Sequence, residues 1–584
     1  MLQFLKYVLA TMVGFCLLIF IGFLFMAAIV SFASNKEVKV KPNSVLHLEL
    51  DQPIADRSSS DPFANFNPAS ISLKPDVGLN DIIKSIHYAK TDDNIKGIYF
   101  NTQMFSSGLA TATEIRDALE DFKISGKFVI AFGDSYSQRS YYLASVADQV
   151  YLQPEGILEF KGLAAQAMFF KNAMDKLGVE PQVIREGKYK SAIEQFTLDK
   201  MSEENKHQIK ELVDDFWKHM VDKISISRSI DADKLTEIAN SLSATRAEDA
   251  FENNLVDGLK YQDEVHQILL EKTESPEDEL NSIGVGEYSK SVKAPKGGYK
   301  KDRIAVVYAE GEIMYGEQPE GKIGSEGVAE AIKKAREDDK VKAIVLRVNS
   351  PGGSSLASDI IWREMELAKE AKPVVVSMGN LAASGGYYIS CPANSIVAQP
   401  TTLTGSIGVW GMLFNGQELL NEKLGITTDG YKSGRMADLG AFDRAMTEEE
   451  KAVIQNITGD VYDVFLDHVA EGRDMTKSNV DTLGQGRIWS GTDALNNGLV
   501  DMLGGKNKAI EIAAKLAETE DYIIKELPEE EDPMVTIMKQ LETRAKTKIL
   551  KEQAGVAYPY IKALNDLNNI EGIQMRMPFT LEIY

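Results

Sequence analysis

Apolar and polar positions along the chain fall into three regimes. Between Tyr7 and Asn35 there is no charged residue, and VLATMVGFCLLIFIGFLFMAAIV is almost entirely apolar. This exceeds the roughly 20 residues that cross a bilayer as a helix, whereas the apolar region of a cleavable signal peptide runs to about 7–15. Residues 1–35 are therefore read as a short cytoplasmic tip and a transmembrane signal-anchor, with FASNKE as a weaker cleavage site. Lys6 precedes the span while Lys36, Lys39 and Lys41 follow it, so local charge does not orient it. A long folded region after a single N-terminal span reads as translocated.

The second regime alternates short apolar runs with helical spacing. VKAIVLRV suits a buried strand and leads through a glycine turn into SSLASDIIWREMELAKEA, which has helical periodicity. PVVVSMG is the next strand, SGGYYISC opens another helix, and SIVAQ is a third strand. Strands alternating with helices in this way predict βαβ units and a parallel sheet, an α/β fold. MSEENKHQIKELVDDFWKHMVDKI and MTEEEKAVIQNITGDVYDVFLDHVAEG are amphipathic helices with capping-type starts, and their Met, Phe and Trp stripes are expected to pack in a core.

The pattern also repeats. A shift of 246 positions superposes residues 92–162 on 338–408 without a gap: Asp92-Asp93 fall on Asp338-Asp339, Gly133 on Gly379, Tyr141-Tyr142 on Tyr387-Tyr388, and Gln153-Pro154 on Gln399-Pro400. MSEENK and MTEEEK continue the match one residue out of step. The repeat sets the domain map. Residues 36–75 are an extracytoplasmic lead-in, 76–271 the N-terminal repeat, 272–301 a polar Pro/Gly-bearing linker, 302–525 the C-terminal repeat, and 526–584 a C-terminal extension. The third regime lies in that extension, a charge-rich stretch ending in MRMPFTLEIY that matches no motif and is expected to pack at the rim or hold a partner strand.

Composition narrows the function. The 584 residues are 44% apolar and 26% charged, which is ordinary globular content. A net charge of −23 disfavours a nucleic-acid partner, since phosphate binding calls for a basic face. Two cysteines, Cys16 and Cys391, build neither a disulfide framework nor a Cys-based zinc site, and no two of the six histidines share metal-ligand spacing. No metal and no cofactor are expected. From His266 to His468 the chain contains no further histidine.

Two glycine turns fall in that stretch. Asn349-Ser350-Pro351-Gly352-Gly353-Ser354 and Ala382-Ala383-Ser384-Gly385-Gly386 each join a strand to a helix, where backbone N–H groups are unpaired. Each alone reads equally as a tight turn, and neither has a Walker lysine or a dinucleotide fingerprint. Together they could hold one oxyanion between the Gly353 and Gly385 N–H groups, with Ser384 as nucleophile. A serine nucleophile needs a base, and no histidine lies near Ser384 in sequence. The repeat offers one. The 246-residue shift places Ser384 on Gln138 and Gly353 on Ser107, so the first half lacks both features. Aligning Gly187 with Gly434 puts Lys188 on Arg435 and Lys190 on Ala437. Complementary loss of this kind suggests one site divided between the halves. Lys190 is preferred over Lys188, its neighbour on the same expected strand face, because Lys190 has an uncharged counterpart. Its pKa would have to fall from about 10.4 towards neutrality through burial. Ser191 is a candidate to orient the amine.

The motifs GKYKSAIEQF, NSPGGS, LAASGGYYIS and LTGSIGV, in this order behind an anchor, resemble the long tandem-repeat form of the signal peptide peptidase A (protease IV) family of Ser–Lys serine proteases. The likeness covers nearly the whole chain. It implies two tandem repeats related to the Clp and crotonase fold, each with a ββα-type spiral core. It also implies a Ser384 nucleophile with a Lys190 base, and a bowl-shaped homotetramer on the periplasmic face of the bacterial cytoplasmic membrane. The implied substrates are hydrophobic peptides, the remnants of cleaved signal peptides. Two other classes compete. A non-catalytic scaffold is opposed by the intact Ser384, Lys190 and glycine turns, and an acyl-CoA crotonase by the translocated topology. A divided site has a direct consequence: either half expressed alone should be inactive, and mixing the two should recover peptide turnover. Full activity from the isolated second half would overturn the split.

Overall fold

The computed structural model describes residues 38–59, 77–275, 279–292, 302–529 and 573–577, with short stretches within 3–21 and at 66–67, 72–73 and 582–583. Two parallel sheets carry the chain. The first runs Ser282–Gly284, Ser44–Leu48, Ile95–Phe100, Phe128–Gly133, Gln149–Leu152, Gly258–Leu259. In the second, Tyr522–Leu527, Asp302–Glu310, Val341–Ser350, Val374–Ala383, Ser395–Ala398 and Met502–Leu503 follow in the same spatial order, again all parallel. Leu403–Gly405 also pairs with the end of Val374–Ala383, and Ile488–Ser490 adds to it antiparallel.

The helices repeat as the sheets do. Leu79–Thr91 corresponds to Ser325–Glu337 and Leu109–Lys123 to Ser355–Ala371, both in the 246-residue register. The two amphipathic segments form Glu203–Arg228 and Glu448–Gly472. Ser202 caps the first through the Asn205 N–H, and Thr447 with Glu450 forms a capping box on the second. Each cap contributes about 1 kcal/mol. Their apolar stripes face the core, with Phe216, Met220, Phe465 and Val469 buried.

The domain limits differ from the sequence expectation in two places. The lead-in supplies Ser44–Leu48, a central strand of the first sheet, and the linker supplies the edge strand Ser282–Gly284 and a helix whose Tyr288 is fully buried. Their short apolar runs carry little periodicity, and only pairing with distant strands makes them part of the core. The anchor expectation falls largely outside the described residues. Those described between 3 and 21 are helical and expose Phe4, Leu9, Met12, Phe15 and Leu18. Among the described residues no helix is long and apolar enough to cross a membrane.

A third sheet, of six strands, joins the halves. Its order is Lys322–Gly324, Glu312–Met314, Gly352–Ser354, Gln574–Arg576, Val409–Asn415, Glu180–Glu186. The last strand belongs to the first repeat, and the strand before it to the second. A buried charge cluster adds a second seam. Arg347 of the second half, 1% exposed, donates to Asp56 (2.7 Å) and Glu114 (3.0 Å) of the first. Glu114 also accepts from the Lys506 N–H (2.7 Å), while Asn380 and Thr111 exchange two hydrogen bonds. Removing one partner of such a cluster leaves a buried charge uncompensated. Arg347→Met is therefore expected to lose about 3–5 kcal/mol of stability, read as a lower urea midpoint. An unchanged midpoint would show that the seam carries no load.

Candidate active site

The lysine arm starts as the strand Glu180–Glu186, paired antiparallel with Val409–Asn415 over seven residues, from Glu186 opposite Val409 to Glu180 opposite Asn415. Past it the chain turns sharply. The Tyr189 N–H donates to the Gln485 carbonyl at 2.8 Å, so a turn of the second half receives this one. Gly486 there has φ +79, and a Cβ on it would stand 2.6 Å from the backbone nitrogen of Lys190. Only glycine lets the two turns close. Lys188 and Lys190 consequently do not share a strand face. Lys188 is exposed, with its ammonium 5.2 Å from the Tyr189 ring centroid, whereas Lys190 is fully buried.

Lys190 Nζ lies 2.8 Å from Ser384 Oγ, 2.9 Å from the Ser406 carbonyl oxygen and 3.0 Å from Ser406 Oγ. All three contacts engage the amine, two through Ser406 and one through the Ser384 hydroxyl. Burial holds the amine well below the ordinary lysine range. Ser384 ends the strand Val374–Ala383 at φ 56, ψ −114, a backbone conformation costing about 1–3 kcal/mol for a non-glycine residue. The bend is held by its N–H donating to the Gly405 carbonyl at 2.8 Å. The helix that follows is a single turn, Gly385–Tyr388, so individual amides rather than a long helix dipole face the hydroxyl.

Gly353 and Gly385 converge beside it. A Cβ on the intervening Gly352 (φ +91) would stand 2.5 Å from the Gly385 nitrogen, which shows how closely the two turns approach. Ser191 goes elsewhere. Its Oγ accepts from Gln208 Nε2 at 3.0 Å, and Gln208 also bonds the Tyr189 carbonyl and the Ile488 N–H. Ser191 thus ties the arm to the helix Glu203–Arg228, and Ser406 rather than Ser191 joins Ser384 in contact with the amine. Sequence reading missed this role although it singled out LTGSIGV, because no spacing rule links positions 190 and 406. Gly486 and Gln208 carried no local signal.

The corresponding place in the first half is closed. Gln138, at the Ser384 position, accepts the Lys161 and Gly162 N–H groups and donates to the Gly162 carbonyl. Arg139 donates to the carbonyl of Ser107, the Gly353 counterpart, and the Ser107 hydroxyl accepts the Ile54 N–H. Ala437, opposite Lys190 in the repeat, sits in an irregular exposed stretch.

The α/β core that carries these two turns is Clp-protease-like in fold. The Clp protease family profile matches residues 295–401, which include both turns. The Peptidase family S49 profile matches residues 121–274 and 366–520, once in each repeat, and the chain belongs to that family of serine proteases. It is 37% identical over 510 residues to Protease 4 of Salmonella typhi, covering 85% of this chain and 81% of that one. Protease 4 of Haemophilus influenzae is 36% identical over 522 residues, with 85% and 83% covered. The chloroplastic serine protease SPPA of Arabidopsis thaliana is 34% identical over 488 residues, with 82% and 70% covered.

Ser406→Ala deletes one of the two oxygens that hold the amine. Losing a hydrogen bond of about 1 kcal/mol together with lysine alignment is expected to lower kcat about tenfold while KM stays near wild type. An unchanged kcat would mean that the carbonyl alone positions Lys190.

Proposed function

We propose that the chain is a membrane-anchored endopeptidase in which Ser384 is the nucleophile, Lys190 the general base, and the Gly353 and Gly385 N–H groups the oxyanion donors. The observation that carries this reading is the fully buried Lys190 amine 2.8 Å from Ser384 Oγ. Lys190 takes the Ser384 proton as Oγ attacks the peptide carbonyl and returns it to the leaving amine. It then activates water against the acyl-enzyme.

Hydrophobic signal-peptide remnants are the proposed substrates, cut on the periplasmic side of the inner membrane. The uncharged stretch from Tyr7 to Asn35 supports the anchor, as do the exposed apolar side chains in the helical residues between 3 and 21. The homotetramer and the substrate class follow from the family resemblance.

The test is hydrolysis of an apolar signal peptide by the detergent-solubilised full chain. Ser384→Ala should abolish it, and Lys190→Ala should reduce kcat by about 10²–10⁴-fold. Lys188→Ala should remain within about twofold of wild type, because its exposed ammonium is of the solvated surface kind. Wild-type activity in Lys190→Ala would place the base elsewhere.

The buried amine also sets the pH dependence. Its folded pKa is depressed, so only the neutral form acts as base, and kcat/KM should rise with pH through that pKa to a plateau. For stability the unfolded chain binds the extra proton, so this contribution increases as pH climbs towards the unfolded lysine value of about 10.4. The unfolding free energy of wild type relative to Lys190→Met is therefore expected to improve between pH 7 and 9.5. A pH-independent difference would mean that Lys190 is charged in the folded state.

A further inference from the structure

The two halves differ in what stands behind the nucleophile turn. Tyr388 closes the one-turn helix Gly385–Tyr388, its N–H donating to the Ser384 carbonyl at 2.8 Å. Its ring is buried against Phe465, and its hydroxyl donates to Asp359 Oδ1 at 2.8 Å. Asp359 belongs to the helix Ser355–Ala371, which follows directly from the Gly352–Ser354 turn. One hydrogen bond therefore joins the helix behind Gly353 to the helix behind Ser384. A third helix, Glu448–Gly472, completes the cluster. Its His468 stacks on Trp362 with ring centroids 3.5 Å apart, and His468 Nε2 stands 3.6 Å from Asp359 Oδ1.

We propose, on the reading of this site as a peptidase centre, that Asp359 and His468 are positioning residues for the oxyanion donors. They act through Tyr388, and the distance they set is that between the Gly353 and Gly385 N–H groups.

The demand for such a device follows from the site itself. Its two donors sit on separate turns, and each must stand about 2.7–3.1 Å from the oxygen that gains charge. A helix of four residues has too little length to fix its own direction. The helix Ser355–Ala371 fixes it at both ends. Ser358 donates its hydroxyl to the Ser354 carbonyl at 2.9 Å and abuts the first residue of the short helix, where a Cβ on Gly385 would stand 2.6 Å from Ser358 Oγ. Asp359, the next residue along, holds Tyr388 at the other end. The carboxylate is itself gripped from two sides. Its contact with His468, together with the Tyr388 hydrogen bond, holds the Asp359 carboxyl below its ordinary range, so the phenol meets an ionised acceptor.

The first repeat provides the comparison. In the 246-residue register Tyr142 stands for Tyr388, Thr113 for Asp359, Arg116 for Trp362 and Arg139 for Gly385. The tyrosine is buried in both halves, so packing alone accounts for its ring. Its partner is what changes. Tyr142 meets the neutral Thr113 hydroxyl at 3.1 Å, and Arg116 fills the space behind it, bonded to Ser145 Oγ at 2.8 Å. The His468 position, one residue out of step, is Lys223, whose ammonium turns to Asp117 and Glu120. The carboxylate clamp is confined to the half that carries Ser384 and both glycine donors.

The experiment uses the detergent-solubilised full chain, an internally quenched apolar peptide, and titration with a fluorophosphonate so that rates refer to competent Ser384. Asp359 is half-exposed and Tyr388→Phe keeps the ring, so neither change opens the core. Tyr388→Phe and Asp359→Ala should each lower kcat about tenfold, with KM within about twofold of wild type. The double variant should lose no more than either single one, because both remove the same bond. Asp359→Asn keeps an oxygen for the phenol and should recover kcat to within about threefold. His468→Ala should lower kcat by about threefold, and wild-type kcat there overturns the part assigned to His468. A peptide aldehyde reads the donors directly, since its adduct with Ser384 places an oxyanion between them. Its inhibition constant should rise by the factor by which kcat falls, while that of the corresponding peptide acid stays unchanged. Thr113→Ala, the matching excision in the first repeat, should alter neither. Unchanged kcat in Tyr388→Phe and Asp359→Ala, an unchanged aldehyde constant, or an equal loss in Thr113→Ala overturns the proposal. Titrated variants with wild-type kcat refute the positioning role alone, whereas failure to titrate any form, wild type included, refutes the peptidase reading and this proposal with it.

Discussion

The antiparallel pairing of Glu180–Glu186 with Val409–Asn415 is the constraint on which the active centre depends. It carries a strand of the first repeat onto a sheet of the second and aims the following turn at Ser384. Seven residues in register leave the arm little freedom to slide, since a slip of one residue would turn every side chain to the opposite face. The Gln485–Gly486 turn then closes on Tyr189 and Lys190, and Arg487 stacks over Trp489 while pairing with Glu211. The amine is thus positioned by backbone pairing before any side chain chooses a rotamer.

Holding that amine dry is costly, and the surroundings show how the cost is contained. Ser406 supplies a hydroxyl and a carbonyl to the N–H groups, and the Ser384 hydroxyl is the third partner of the amine. The strained backbone of Ser384 is clamped by Gly405, and the Arg347 cluster with the Asn380–Thr111 pair keeps the halves in one relation. These contacts fix distances between groups that local structure alone would leave independent. The first repeat fills the turns corresponding to Ser384 and Gly353 with Gln138 and Arg139 and keeps its sheet intact.

Much of the architecture was legible in the sequence for a physical reason. Strands such as Val341–Ser350 and Val374–Ala383 are buried over most of both faces and so appear as largely apolar runs. Helices such as Glu203–Arg228 announce themselves through caps and periodicity. Short strands escaped notice. Ser282–Gly284 and Gln574–Arg576 have three residues each, too few for any period, and exist because a distant edge is available to pair with. The presumed linker and the C-terminal extension consequently concealed structural roles.

The sequence by itself determined the duplication, the α/β elements and the asymmetry that singled out Ser384 and Lys190, because each is written in residues close together or in one fixed offset. The tertiary structure alone decided that Lys190 is buried while Lys188 is exposed, that Ser406 rather than Ser191 touches the amine, and that the tail lies across the glycine turn. Those outcomes depend on which surfaces meet. Lys190 and Ser384 are 194 positions apart, and Ile573 and Ser355 are 218. Local propensity is blind at such separations, and only the packing of one half against the other brings these groups together.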